Sequence, residues 1–214
     1  MFNATSKCER RAPTCFNRGM LTTPILFFLL FIAVGGITQA AAATFELTNT
    51  GRVLECNGPC VALTGTNTFA AQLAVKGGGS TQTPYMLANN GGVNQVWQYS
   101  GVGTNWAPIT GTNTTVSSIV ATINAVYMLA NNGGVNQVWQ YSGVGTNWTP
   151  ITGTNTTVSR IAATFSAVYM LAHNAGANQV WQYSGSGTNW TPVGGQLPLT
   201  AELHFPRPSR DLTV

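Results

Sequence analysis

The sequence predicts an all-β fold, a β-propeller of about four blades, and three observations carry that prediction. One phrase, YMLANNGGVNQVWQYSGVGTNW, spans Tyr85–Trp106, returns unchanged at Tyr127–Trp148 and recurs in altered form at Tyr169–Trp190, a period of 42 residues. The phrase is made of short runs rich in Val, Tyr and Trp separated by Asn- and Gly-rich breaks, which is the chemistry of strands and turns. The repeats are also poor in Lys and Glu, which favour helices.

Each unit is expected to hold four strands. AVYMLA (Ala125–Ala130) is the first, and NNGG turns the chain because Asn and Gly accept positive φ. QVWQYS (Gln137–Ser142) alternates Trp and Tyr with Gln and Ser, as a half-buried strand does. After GVGTN, the stretch WTPIT (Trp148–Thr152) is the third strand, and its proline sets it towards an edge. GTNTT turns again, and VSRIAAT (Val158–Thr164) is the fourth. Four short strands at this period suit a propeller blade. A lone blade cannot cover both its faces, so stacked copies must repeat the same core residues.

Residues 85–117 and 127–159 differ only at Ala107 and Thr149, which marks a recent duplication. A degenerate copy lies upstream in FELTNTGRVLECNGPCVALTGTNT (Phe45–Thr68). There Phe45 stands for Tyr85, Leu47 for Leu87, Leu54 for Trp97, Cys56 for Tyr99 and Cys60 for Trp106, and LTGTNT repeats ITGTNT. A disulfide between Cys56 and Cys60 is expected, replacing an aromatic contact, with the turn formers Asn57, Gly58 and Pro59 between them. The alternative, half of a metal site, lacks a second Cys or His pair. The ring is expected either to close when the N-terminal half-unit supplies missing strands to the last blade, or to be incomplete or completed by oligomerisation.

Residues 1–43 read as a signal peptide. Lys7, Arg10, Arg11 and Arg18 precede the apolar run ILFFLLFIAV (Ile25–Val34), and the small residues of GGITQAAAAT follow, with cleavage after about Ala40 to Ala43. Met20 is an alternative start. The apolar run is short for a bilayer span, which takes about 20 residues. A secreted or cell-surface protein with no stable membrane insertion after cleavage is expected. Domain 44–195 carries the repeats, and residues 196–214 form an irregular tail that does not continue the pattern.

The chain's formal charge of +4 resides mostly in the leader. From Thr44 onward, Arg52, Lys76, Arg160, Arg207 and Arg210 face Glu46, Glu55, Glu202 and Asp211. No basic cluster remains to hold phosphates, so nucleic acid is not an expected partner. Between Gly77 and Ala201 the only charged residue is Arg160 and the only histidine is His173, which replaces Asn131 and is expected in a turn. Paired carboxylates, activated nucleophiles and metal ligands are missing from the repeats, so neither an enzyme nor a cofactor is expected.

Neutral polar side chains and aromatic rings remain, and these suit a sugar: amides hydrogen-bond its hydroxyls while rings pack on its C–H faces. The candidate carbohydrate-binding residues are Asn89, Asn94, Gln98, Tyr99, Asn105 and Trp106 in one copy. Asn131, Asn136, Gln140, Tyr141, Asn147 and Trp148 are their equivalents in the next, and Asn178, Gln182, Tyr183, Asn189 and Trp190 those in the last. Weak sites become useful when repeated. The sequons at Asn113, Asn147, Asn155 and Asn189 are glycan acceptors in a eukaryotic secretory path, but their number is better explained by Thr/Asn-rich turns duplicated with the repeat.

The order of these strands resembles the tectonin repeat. The matching residues are Trp148, Ile151, Gly153, Ile161, Val168, Tyr169, Val180, Trp181, Tyr183 and Gly185, and the set recurs from Trp106. The resemblance spans about Thr44 to Gly195. Tectonin and tachylectin-2-like proteins are β-propellers, and many bind carbohydrate, which implies a lectin with several equivalent sites for glycans or glycoconjugates. This chain departs from the repeat in carrying Gln98, Gln140 and Gln182 where the last strand commonly has Arg. Two other readings compete. One is a non-catalytic structural or protein-interaction propeller. The other is a flat β-solenoid presenting its Thr-rich segments to a regular surface.

Overall fold

The computed structural model describes residues 43–174 and 177–194. Residues 1–42 of the expected signal peptide and the tail 196–214 lie outside the described residues. What is described is an all-β open propeller of four antiparallel sheets. The first sheet has three strands, β1 (Thr44–Leu47), β2 (Val53–Cys56) and β3 (Cys60–Ala62). The second has four, β4 (Ala70–Lys76), β5 (Thr83–Asn90), β6 (Val93–Tyr99) and β7 (Trp106–Pro108). The third runs β8 (Thr115–Ala121), β9 (Val126–Asn132), β10 (Val135–Tyr141) and β11 (Trp148–Pro150). The fourth runs β12 (Thr157–Ala163), β13 (Val168–Asn174), β14 (Ala177–Tyr183) and β15 (Trp190–Pro192).

The blade begins one strand earlier than the repeat suggests. VSRIAAT was expected to end a unit, but β12 pairs with β13, which follows it, and so opens the fourth sheet. Periodicity sets the length of a repeat and leaves its phase open; local hydrogen bonds set the phase. At the turn after β8, Thr122 N donates to Ala125 O at 2.9 Å, and Ala125 N donates to the Thr122 hydroxyl at 3.1 Å. The tight turn therefore joins β8 to β9, while the GTNTT segment crosses between sheets.

The hairpins also differ in detail. The turn is Gly91-Gly92 alone, with φ of 62° and 92°, and Asn89 and Asn90 belong to β5. His173 likewise lies in β13 opposite Asn178 and not in a turn. The outer strands keep three residues each, and Pro108, Pro150 and Pro192 close β7, β11 and β15. Short strands ending in proline blunt the outer edges against further pairing.

The degenerate copy keeps the predicted alignment. Cys56 opposes Cys60 in the same register at which Tyr99 opposes Trp106, Tyr141 opposes Trp148 and Tyr183 opposes Trp190. The Cys56–Cys60 disulfide is formed. The first sheet does not, however, lend strands to the last. The fourth sheet has four strands of its own, and among the described residues it is the first sheet that has no strand equivalent to β4, β8 and β12.

Sheets pack face to face in chain order around three apolar seams. In the seam between second and third sheets, Tyr85, Leu87, Val96 and Ile109 meet Val116, Ile119, Met128 and Tyr141. One period on, Tyr127, Leu129, Val138 and Ile151 meet Val158, Ile161, Met170 and Tyr183. Phe45, Val53 and Leu63 of the first sheet meet Ala70, Met86 and Ala88 of the second. Each fully buried Val or Leu contributes about 1.5–3 kcal/mol. β4 lies against β8, and β8 against β12, so the first strands of the blades are the inner ones. Each of these inner strands carries an irregularity in its pairing with the next strand, between Ala70 and Gln72, Val116 and Ser118, and Val158 and Arg160.

Candidate functional site

The seams open at one end into equivalent clefts. The cleft between third and fourth sheets has a volume of about 240 Å³, and the cleft between second and third one of about 210 Å³. One wall of the first is the crossing segment with Thr152, Gly153, Asn155 and Thr156; the other carries Met170, His173, Trp181 and Trp190. The second cleft repeats this set 42 residues earlier with Thr110, Gly111, Asn113 and Thr114 facing Met128, Asn131, Trp139 and Trp148. The sole exchange among these positions is His173 for Asn131. Among the described residues no acidic, Lys or Arg side chain lines either cleft.

The walls are rigid for identifiable reasons. Thr110 and Thr152 accept hydrogen bonds at their hydroxyls from Val96 N and Val138 N, at 2.9 and 3.0 Å. Gln95 and Gln137 donate side-chain N–H to Thr110 O and Thr152 O, each at 3.1 Å. These bonds hold the crossing segment onto its own sheet. Trp148 then reaches across the seam and donates its indole N–H to Ile109 O at 2.7 Å, and Trp190 does the same to Ile151 O at 2.6 Å. Tyr141 and Tyr183 lie against these indoles, with ring centroids 5.1 and 5.2 Å apart. Each tyrosine is itself fixed by its hydroxyl, which donates to Gly145 O and Gly187 O. With its polar end satisfied, Trp148 or Trp190 is left to offer ring surface.

The second tryptophan of each cleft is different. Trp97, Trp139 and Trp181 hold their indole nitrogens shielded from solvent with no acceptor among the described residues. An unmet buried donor costs about 1–3 kcal/mol, and here the cost recurs at three equivalent places. Trp139 and Trp181 line the two clefts. Burial keeps the phenols of the seams neutral: it raises the Tyr85 hydroxyl to about 12, with Tyr141 beside it adding to the effect. Tyr99, Tyr141 and Tyr183 are also raised, in each case first by burial. Among the described residues no three His, Cys, Asp or Glu side chains are grouped to hold a metal ion. What the clefts share is amide and hydroxyl hydrogen-bonding groups beside aromatic and thioether surface.

Of the residues singled out in the sequence, the clefts bring together Asn131, Trp148 and Trp190. Trp106 makes the equivalent bond to Leu63 O, 2.8 Å, at the seam between first and second sheets. Asn89 and Asn94 are bonded to each other across the hairpin, as are Asn131 and Asn136, and Asn178 meets His173 at 3.4 Å. Asn105, Asn147 and Asn189 lie in exposed turns before the outer strands, where their backbones close the loop. Tyr99 donates its hydroxyl to Gly103 O at 3.0 Å. Gln98, Gln140 and Gln182 are half-buried on β6, β10 and β14, and the Gln98 side-chain amide lies 3.5 Å from the Tyr141 hydroxyl, whose proton is committed to Gly145 O.

The sequence reading passed over Trp139, Trp181, Met128 and Met170 as cleft residues, and took Asn113 and Asn155 only as sequons. A signal was present. The degenerate copy loses its aromatic pair yet keeps Leu63-Thr64-Gly65-Thr66-Asn67-Thr68, the counterpart of the segment that walls each cleft.

No protein-family model matches the chain, and no curated protein does. Eleven solved chains match. One is the β-propeller domain of the Trilobed protease from Pyrococcus furiosus, which is 12% identical with a TM-score of 0.48 and covers 71% of this chain. This chain spans 46% of that one.

Proposed function

We propose that the protein is a secreted, non-catalytic, carbohydrate-binding propeller of the tectonin kind, using repeated weak sites in its inter-sheet clefts. The observation that carries this reading is the recurrence of one Trp-lined cleft, free of acidic, Lys and Arg side chains among the described residues, at two seams with the same residues 42 positions apart but for His173 in place of Asn131. A neutral polyol suits such a lining, because Thr and Asn exchange hydrogen bonds with hydroxyls while a tryptophan face covers C–H groups. Each site is shallow, and affinity comes from engaging several at once.

Secretion is supported by the leader-like N-terminus and by the Cys56–Cys60 disulfide, which persists in oxidising compartments. Among the described residues no helix is long and apolar enough to cross a membrane. A broad array of immobilised neutral and charged glycans tests the reading. A folded sample is expected to bind a subset of neutral structures; silence across the array, with folding verified by circular dichroism, overturns it.

A further inference from the structure

The seam between first and second sheets repeats the walls of the two clefts. Thr64, Gly65, Asn67 and Thr68 stand where Thr110, Gly111, Asn113 and Thr114 wall the cleft between second and third sheets. On the facing wall, Met86, Asn89, Trp97, Thr104 and Trp106 each lie 42 residues before a residue that lines that cleft. These two seams agree at every such position, whereas the seam between third and fourth sheets exchanges Asn131 for His173.

The same bonds set these walls. Val53 N donates to the Thr64 hydroxyl at 3.1 Å, and Trp106 donates its indole N–H across the seam to Leu63 O at 2.8 Å. Tyr99 lies against that indole, with ring centroids 5.2 Å apart. Thr68 N donates to Gly65 O at 3.2 Å, as Thr156 N does to Gly153 O. Hydroxyl, amide and ring therefore stand in the same order as at the other seams.

Phe69 sets this seam apart. It follows Thr68 just before β4, in the place that Thr115 and Thr157 hold in the next two sheets. Those threonines oppose Asn131 and His173, which line the two clefts. The Phe69 ring is 68% exposed, yet its backbone is pinned, because Ala70 N donates to Gly51 O at 2.8 Å. Gly51 has φ of 75°, and a Cβ there would lie 3.2 Å from Phe69 Cα, so a glycine lets the β1–β2 hairpin come this close. An exposed phenyl ring on a pinned backbone beside a polar cleft is a platform for the C–H face of a sugar.

We propose that the seam between first and second sheets holds a further saccharide site, with Phe69 as its specificity-determining residue. It takes a chain of at least two neutral sugar rings, one in the cleft and the next on the Phe69 ring. This site rests on the sugar reading of the other two clefts and adds to it a preference for longer chains at one seam.

Maltotriose, cellotriose, mannotriose and chitotriose, each beside its monosaccharide, are the probes. With the trisaccharide that binds tightest, native mass spectrometry of the full chain should count three bound molecules. Fewer than three with every probe overturns the added site, and the glycan array reports on the sugar reading separately. Phe69→Thr copies the other two seams at an exposed position and should keep the melting temperature. Calorimetry should show its tightest trisaccharide site weakened about fivefold, with monosaccharide affinity unchanged. Equal trisaccharide affinity in the two proteins, or an equal loss for the monosaccharide, overturns the role given to Phe69.

Discussion

Cys56 is bonded to Cys60 at the register where the other three sheets place a tyrosine opposite a tryptophan. Two adjacent short strands need a cross-link at this point, because β3, like β7, β11 and β15, is only three residues long. The first sheet supplies it covalently and the others by ring contact. The Cys56→Ser/Cys60→Ser variant should lose about 2 kcal/mol of stability, the chain-entropy value for so short a loop. Cys56→Tyr/Cys60→Trp should recover part of it. Denaturant titration of the three proteins checks this.

Trp148 stitches the third sheet to the second through Ile109 O. Trp148→Phe keeps most of the ring but leaves that carbonyl without its donor. The expected loss is about 1–2 kcal/mol, read as a fall in denaturation midpoint. Trp106→Phe and Trp190→Phe should cost similar amounts at their own seams.

Gly134 has φ of 90° in the hairpin between β9 and β10, and a Cβ there would meet nothing within 4 Å. Any penalty is therefore conformational. Gly134→Ala should destabilise by about 1–2 kcal/mol, and Gly134→Asn by less, since Asn tolerates the left-handed region. Thermal melts of the two variants decide the point.

The buried phenols set a window of alkaline sensitivity. Tyr85 ionises near 10 when unfolded and near 12 when folded. Below pH 10 the hydroxyl is protonated in both states and its contribution to stability is complete. Between about 10 and 12 the unfolded chain releases the proton and the folded one keeps it, so stability falls as pH rises. Stability measured from pH 8 to 11.5 should decline above 10, and Tyr85→Phe should soften the decline.

Much of this architecture was legible before any coordinates. The period of Tyr85, Tyr127 and Tyr169 announced stacked all-β units, and Cys56 and Cys60 could be aligned with Tyr99 and Trp106 by eye. The phase of the blade was hidden, because a perfect repeat looks the same from any starting point; the Thr122–Ala125 and Thr164–Ala167 turns distinguish one cut from another. The clefts were half visible. Trp148 and Asn131 belong to an obvious phrase, but Asn113, in the segment that crosses between sheets, meets Trp139 of the third sheet only when neighbours stack. Asn89 and Asn94 looked free to bind, yet they spend hydrogen bonds on each other across the hairpin.

The most direct test of the central claim is a comparison of wild type with Asn113→Ala/Asn155→Ala on the same glycan array. Both asparagines are exposed, line the clefts and lie outside the apolar seams, so the variant should keep its melting temperature. The account predicts that apparent avidity for the bound neutral glycans falls on the order of 100-fold, as two of the cooperating sites are lost together. Undiminished binding by the folded double variant would contradict it.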